Sequence, residues 1–228
     1  MKENYQVEMS FLQRSVFSKL ILAMCITIIS AYIPIIFTPI SAVVGGGGSI
    51  GLSIVKFIAI ISVLTFASNK MVKSDTKGLK LFWFTVIPII IGIVSSSIFI
   101  YYSLGSIITV FIISSIYFTA LYFYSKVSTV DFTKYSSVLT ISLFSIILAL
   151  IFNIIIGSSV LNIILSIIII VIFTFYTIKD GQEMVKFVEN NTDYEYEKVF
   201  EEASYQFAIN LYLDFINLFM NLLDLFGR

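Results

Sequence analysis

The chain contains no histidine, and this absence excludes several classes of active site. Ser-His and Cys-His nucleophiles, and metals or haem bound by histidine, all require an imidazole. Histidine is also the side chain that usually titrates near neutral pH, so any proton sensing here must depend on carboxylates. The single cysteine, Cys25, cannot form an intrachain disulfide, and its apolar surroundings predict a small core residue.

Charged residues are also scarce. Only 12% of the 228 residues are charged and 58% are hydrophobic, whereas about 25% of a soluble domain is charged. The mean hydropathy is +1.00. This composition predicts an integral membrane protein whose main partner is the lipid bilayer. Because the formal net charge is zero, there is no electrostatic case for a nucleic-acid partner.

Seven apolar segments follow one another along the chain, and each is close to the roughly 20 residues that a spanning helix needs. They lie at about 16–39, 50–68, 81–102, 106–125, 136–156, 160–179 and 204–226. We therefore predict an all-α membrane protein with one transmembrane domain of seven helices over 1–228. Residues 1–15 are then a cytoplasmic N-terminus, and residues 180–203 form an acidic cytoplasmic connection.

The lysines and arginines predict the orientation. Twelve of the fourteen lie near the start of the first segment or in the connections after segments two, four and six, and the exceptions are Lys56 and Arg228. The positive-inside rule makes those connections and the N-terminus cytoplasmic. The frequent use of Ile, Phe, Asn and Lys is typical of a bacterium with AT-rich DNA, so we expect a bacterial plasma membrane.

The connection before the last segment has two interpretations. It contains two lysines, Lys186 and Lys198, and seven carboxylates: Glu183, Glu189, Asp193, Glu195, Glu197, Glu201 and Glu202. It is either a solvated helical extension that leads into the last helix or a vestibule whose field concentrates cations.

The closing segment, which contains NLYLDFINLFMNLLDL, carries a regular row of polar residues that we call the polar stripe. Its members are Gln206, Asn210, Asp214, Asn217, Asn221 and Asp224. Spacings of three and four place them within about 40° of one line on a helix and over about 27 Å of its length. Lipid cannot hydrogen-bond these groups, so we expect the seventh helix to lie in the middle of the bundle.

The members of the stripe differ in what they predict. The amides either join helices together or line a hydrated path. Asp214 is placed deep in the membrane, where a carboxylate costs about 2.5–3.5 kcal/mol, and this cost favours a functional role. Asp224 is close enough to the outer boundary to reach water. Asp180, at the end of the sixth segment before Gly181, is by itself an ordinary helix-end residue.

Five stretches resemble the Bax inhibitor-1 family, also called the transmembrane Bax-inhibitor-motif family. AINLYLDFINLFMNLL at 208–223 resembles the family's closing helix nearly residue for residue. The other matches are FLQRSVFSKLILAM at 11–24, VDFTKYSS at 130–137, IFNI at 151–154, and Tyr176, Asp180 and Gln182.

The resemblance implies a bundle of six helices around a central seventh and a pH-sensitive calcium leak channel. It implies a proton-sensing pair of aspartates on helices six and seven, which matches Asp180 and Asp214. The family's arginine near the end of helix two is absent, and Lys70 or Lys73 is the nearest substitute. Asp224 stands where the family commonly has a basic residue. No cofactor is implied, and calcium enters as the permeant ion.

Chemistry from the residues agrees with this mechanism. Two carboxylates in one site cannot both ionise cheaply, so we expect one proton to bridge Asp180 and Asp214. Loss of that proton replaces an attraction between two helices with a repulsion. Our hypothesis is a gate that is closed when protonated and open when deprotonated, with calcium attracted to the bared carboxylates.

Two other classes of protein remain as alternatives. Intramembrane aspartyl proteases also place two aspartates on adjacent helices. Asp214 lies in YLDFI without Gly-x-Gly-Asp, and no Pro-Ala-Leu element follows it, so we expect no enzyme. The resemblance also allows a non-conducting regulator that binds other membrane proteins.

Overall fold

The computed structural model describes residues 2–37, 50–191 and 196–227, which fold into seven long helices. They are α1 (Lys2–Ile36), α2 (Ile50–Lys73), α3 (Lys77–Ser95), α4 (Leu104–Val127), α5 (Ser136–Ile156), α6 (Ser159–Asn190) and α7 (Tyr196–Phe226). A one-turn helix, Ile98–Tyr101, follows α3, and a 3-10 turn, Phe132–Tyr135, leads into α5. All seven long helices are long and apolar enough to cross a bilayer. The predicted all-α fold with seven transmembrane helices is confirmed.

Local signals in the sequence determine where several helices begin and end. Thr76, Ser103 and Ser158 each accept a hydrogen bond from a backbone N–H in the first turn of the helix that follows. Gly157 ends α5 with a φ of +68°, a conformation that favours glycine. These polar caps occupy the short connections between apolar runs.

Three helices extend beyond the apolar segments. α1 begins at Lys2 because the row Met9, Leu12, Val16 and Leu20 recurs every three to four residues and is buried. α6 continues to Asn190, and α7 begins at Tyr196, so the acidic connection is helical on both sides. Residues 38–49, which include the end of the first predicted segment, lie outside the described ranges, as do residues 192–195.

α7 lies at the centre of the bundle, as the polar stripe predicted. It packs directly against α1, α3, α4 and α6. α2 and α5 complete the outer ring by packing against α3, α6 and each other. Seven residues of α7 are 0% exposed, namely Phe200, Ser204, Ala208, Leu211, Tyr212, Leu218 and Leu223.

α1 and α3 cross at a contact too close for any side chain on Gly92. A Cβ there would lie 2.5 Å from the Thr27 carbonyl oxygen and 3.1 Å from the Ala31 nitrogen. The Thr27 hydroxyl lies 2.6 Å from the Tyr212 hydroxyl and so connects this crossing to α7. Small residues allow such close approach between membrane helices.

The prediction that Cys25 is a core residue is wrong. Cys25 is exposed on the outer surface of α1. Hydrophobic residues of a membrane protein face lipid as readily as the core, so an apolar run does not show which side of a helix is buried.

Candidate functional site

The two aspartates that the sequence singled out come together between α6 and α7. Asp180 and Asp214 are each 3% exposed. Their carboxyls interact electrostatically, and Lys179 and Glu183 are the other charged groups that act on Asp214. The site lies where α6 packs against the central helix.

Asp180 lies within α6 and does not end it. The helix runs through Gly181 and on to Asn190. Gly181 does not adopt the left-handed conformation of a helix end, since among the described residues only Gly157 has a positive φ. A Cβ on Gly181 would collide with the Ser125 side chain of α4. The glycine therefore allows α6 to approach α4 closely at the residue next to Asp180.

The cation at this site is Lys179. Its Nζ lies 2.8 Å from Asp180 Oδ1 and 2.9 Å from Glu183 Oε1, and its side chain is 12% exposed. Lys70 and Lys73, the nearest substitutes for the family's arginine, are exposed at the end of α2. α2 packs against α3 and α5, so these lysines lie away from the α6–α7 contact.

Sequence reasoning missed Lys179 for a physical reason. Consecutive helical residues differ by about 100° around the axis, so neighbours in sequence are not expected to share a face. Lys179 also fits the group of lysines that flank cytoplasmic connections. Its spacing of four from Glu183 is a helical ion-pair signal that could have identified it.

One carboxylate oxygen of Asp214 is buried in an environment that, within the described ranges, does not satisfy it. Asp214 Oδ2 is buried and has no hydrogen-bond donor among the described residues. A buried carboxylate oxygen without a donor is costly. A proton held between this carboxyl and Asp180 would remove part of that cost.

The amides of the polar stripe bond within α7. Gln206 donates to Asn210 Oδ1 at 2.9 Å, and Asn217 and Asn221 each donate at 2.7 Å to a backbone carbonyl one turn earlier. These four residues are half-buried, although α7 is the central helix. In the part of the chain that the structure describes, these hydrogen bonds stay within α7.

Asp224 is fixed by other helices instead of simply reaching water. Its carboxylate accepts hydrogen bonds from the Tyr102 hydroxyl at 3.1 Å, from Asn162 Nδ2 at 2.9 Å and from the Ser166 hydroxyl at 2.9 Å. Asn162 and Ser166 belong to α6, so this cluster ties the end of α7 to the start of α6. A cavity of about 270 Å³ lies beside it.

The acidic connection is partly neutralised by lysines from other helices. Glu201 pairs with Lys19 of α1 at 3.0 Å, and Glu202 pairs with Lys80 of α3 at 3.1 Å. The stretch is therefore a pair of helical extensions with ion pairs to its neighbours. The positive charge near these carboxylates is larger than the two lysines within the connection suggested. This weakens the interpretation of the connection as a vestibule that concentrates cations.

The turn between α4 and α5 is held against α6 near Asp180. The Gln182 side chain donates to the Val130 carbonyl at 2.7 Å and accepts from the Phe132 N–H at 2.8 Å. One turn later, Lys186 Nζ lies 2.8 Å from Asp131 Oδ1. The turn and this part of α6 are therefore joined by three polar contacts.

The Lys186 ammonium and Thr133 hydroxyl lower the pKa of Asp131 to about 2. An unfolded aspartate has a pKa of about 3.9, so this carboxylate stabilises the fold above that pH and the contribution is lost as pH falls toward about 2. We expect Asp131→Asn to reduce the acid dependence of the melting temperature, measured in detergent. Asp75→Asn, at an exposed carboxylate without an ion pair among the described residues, is the control. An acid dependence equal to that of the wild type would contradict this assignment.

No group of three or more Cys, Asp or Glu side chains within the described ranges is arranged to hold a metal ion. Calcium at the pair would have the Asp180 and Asp214 carboxylates as its protein ligands, whereas a stable calcium site has six to eight oxygens. Transient contact between calcium and these two carboxylates stays a prediction.

Comparison with known proteins agrees with this architecture. An uncharacterized protein of Borreliella burgdorferi is 33% identical over 172 residues, which are 74% of this chain and 70% of that protein. Inner membrane protein YbhL of Escherichia coli is 30% identical over 179 residues, covering 78% and 74%. An uncharacterized membrane protein of Streptococcus pyogenes serotype M1 is 28% identical over 166 residues, covering 73% and 70%.

A family model described as "Inhibitor of apoptosis-promoting Bax1" matches residues 8–228, which include both aspartates and the whole polar stripe. The resemblance seen in the closing helix is confirmed over nearly the entire chain. The chain is a multi-pass membrane protein that belongs to the Bax inhibitor-1 family.

Proposed function

We propose that this protein is a pH-sensitive calcium leak channel in which one proton shared by Asp180 and Asp214 controls the conducting path. The observation that supports this most directly is the pairing of two buried carboxyls from α6 and α7, one of which has an oxygen without a donor. The half-buried amides that continue from Asp214 along α7 supply polar groups for a path through the apolar bundle.

The mechanism follows from the charge at the α6–α7 contact. With one proton present, the two carboxyls share a hydrogen bond and hold α6 against α7. Without it, two like charges face each other in a medium of low dielectric constant, and the contact is weakened. Lys179 opposes that repulsion and Glu183 adds to it. The deprotonated pair then attracts a divalent cation to the opened path.

We place the protein in a bacterial plasma membrane with its N-terminus in the cytoplasm. The ion pairs of Lys19 and Lys80 with α7 lie at the lysine-rich end of the bundle. The positive-inside rule assigns that end to the cytoplasm. A relative from Escherichia coli is named an inner membrane protein.

The function is tested by calcium flux into liposomes that contain the purified protein and an internal indicator. We expect flux that rises from mildly acidic to mildly alkaline pH. Liposomes without protein control for leakage. Absence of flux at every pH would contradict the channel and favour the non-conducting regulator. Cleavage of a membrane-peptide substrate, blocked by a transition-state isostere, would instead indicate the protease, although we expect no catalytic activity.

Lys179 provides a second prediction from the same site. In Lys179→Gln, one positive charge that faces the acid pair is removed, so we expect the rise in flux to move to higher pH by about one unit. Lys198→Gln, at an exposed lysine of α7, should leave the midpoint unchanged. A midpoint in Lys179→Gln that equals the wild-type value would show that this ammonium does not act on the pair.

A further inference from the structure

An open pocket of about 540 Å³ lies where α2 ends and α3 begins. Its apolar wall contains Phe66, Leu79 and Trp83, and the Phe66 and Trp83 rings meet edge to face at 5.6 Å. Lys70 and Lys73 lie on its polar side. These are the two lysines that the α6–α7 site does not use.

These two lysines differ from the lysines of the bundle that pair with carboxylates. Four other lysines, Lys19, Lys80, Lys179 and Lys186, each lie within 3.1 Å of a carboxylate oxygen. Among the described residues, Lys70 and Lys73 form no ion pair, and the Lys70 ammonium lies 5.6 Å from the centre of the Phe66 ring. Asp75 also lines the pocket, so its lining carries two positive charges and one negative charge.

The position of the pocket indicates which anion it accepts. α2 and α3 both qualify as spans, and the pocket lies at the lysine-rich end of both. Phe66, Leu79 and Phe82 are each more than half exposed and so face lipid. Tryptophan is typical of the membrane interface, where headgroups lie. A phospholipid whose phosphate lay beside the two lysines would place its acyl chains along this apolar surface.

We propose that this pocket binds the headgroup of an anionic phospholipid whose headgroup carries hydroxyls, of the phosphatidylglycerol class. The Lys70 and Lys73 ammoniums pair with the phosphate. Hydroxyls of the headgroup donate to the Asp75 carboxylate and exchange hydrogen bonds with the Asn69 amide. Basic pockets between membrane helices on the cytoplasmic side suit such headgroups.

The chain provides its own probe of this site. Trp83 is the only tryptophan in the sequence, so all tryptophan fluorescence of this chain arises from the pocket wall. We would reconstitute the protein in phosphatidylcholine vesicles that contain a fixed fraction of one lipid with brominated acyl chains. Brominated phosphatidylglycerol is expected to quench Trp83 as if enriched about fivefold over brominated phosphatidylcholine, the gain that one lysine near a membrane surface supplies.

Variants distinguish binding at the pocket from general attraction between anionic lipid and the positive charge of the protein. Lys70→Gln/Lys73→Gln should remove the preference for phosphatidylglycerol, whereas Lys126→Gln/Lys134→Gln, which removes the same charge outside the pocket, should keep it. Equal quenching by both lipids in the wild type, or a preference that survives Lys70→Gln/Lys73→Gln, would overturn the proposal. A preference for phosphatidylethanolamine would show recognition of an ammonium by Asp75 instead. A change in Trp83 emission on adding inorganic phosphate without anionic lipid would identify free phosphate as the ligand.

Discussion

Asp214→Asn is expected to abolish the pH response of calcium flux. Asparagine cannot lose the shared proton, so the repulsion that opens the α6–α7 contact never develops. In the wild type, we expect flux to differ by about tenfold between the two ends of the pH range, which is typical of coupling between a ligand and a conformational change. In Asp214→Asn that ratio should fall to near one, with the flux remaining low.

Asp180→Asn should give the same result, because the proton belongs to both residues. The double variant should resemble each single variant, since either substitution already removes the shared proton. Glu189→Gln changes an exposed carboxylate on the same helix and serves as the matched control. Trp83 emission and circular dichroism check that each variant is folded. An unchanged pH response in both single variants would contradict the paired-acid mechanism at any level of flux.

Gly92→Ala is expected to lower the melting temperature by several degrees. The added Cβ would lie 2.5 Å from the Thr27 carbonyl oxygen, and a backbone atom cannot rotate away as a side chain can. α1 and α3 must therefore separate, which also disturbs the hydrogen bond between Thr27 and Tyr212. Overpacking of this kind costs about 1–3 kcal/mol.

Gly105→Ala provides a control of opposite sign. Gly105 lies in the first turn of α4, and a Cβ there would have no neighbour closer than 3.8 Å. Because alanine favours a helix over glycine by up to about 1 kcal/mol, this variant should melt at the wild-type temperature or slightly above it. Thermal unfolding in detergent measures both. Equal melting temperatures for the two variants would show that the α1–α3 crossing is less tightly packed than the structure indicates.

Much of this architecture could be predicted from the sequence because the bilayer restricts the choices. Long apolar runs predict spanning helices, and a row of polar residues at helical spacing predicts that α7 is central. Sequence patterns predicted the ends of helices less well where a helix leaves the membrane. Asp180–Gly181 resembles a helix end, but α6 continues to Asn190 and Gly181 packs closely on α4. Contacts between helices that are distant in the sequence cannot be predicted from a local pattern.

The same limitation applies to the candidate site. The two aspartates could be nominated from position and resemblance, but their charged surroundings depend on how helices are rotated. Lys70 and Lys73 have a suitable place in the sequence, and the packing of α2 turns them toward a different surface. The donors to Asp224 come from α6 and from the residue after the Ile98–Tyr101 turn, which no spacing within α7 could indicate.

The tether at Asp224 constrains how α6 can move. Asn162 and Ser166 hold the start of α6 to α7, whereas Asp180 lies eighteen residues beyond Asn162, or about 27 Å along the helix. With one end fixed, α6 acts as a lever, and a tilt of about 10° would displace Asp180 by about 5 Å. The α4–α5 turn, bound through Gln182 and Lys186, would travel with it. A small angular change at one membrane surface is thereby magnified at the other.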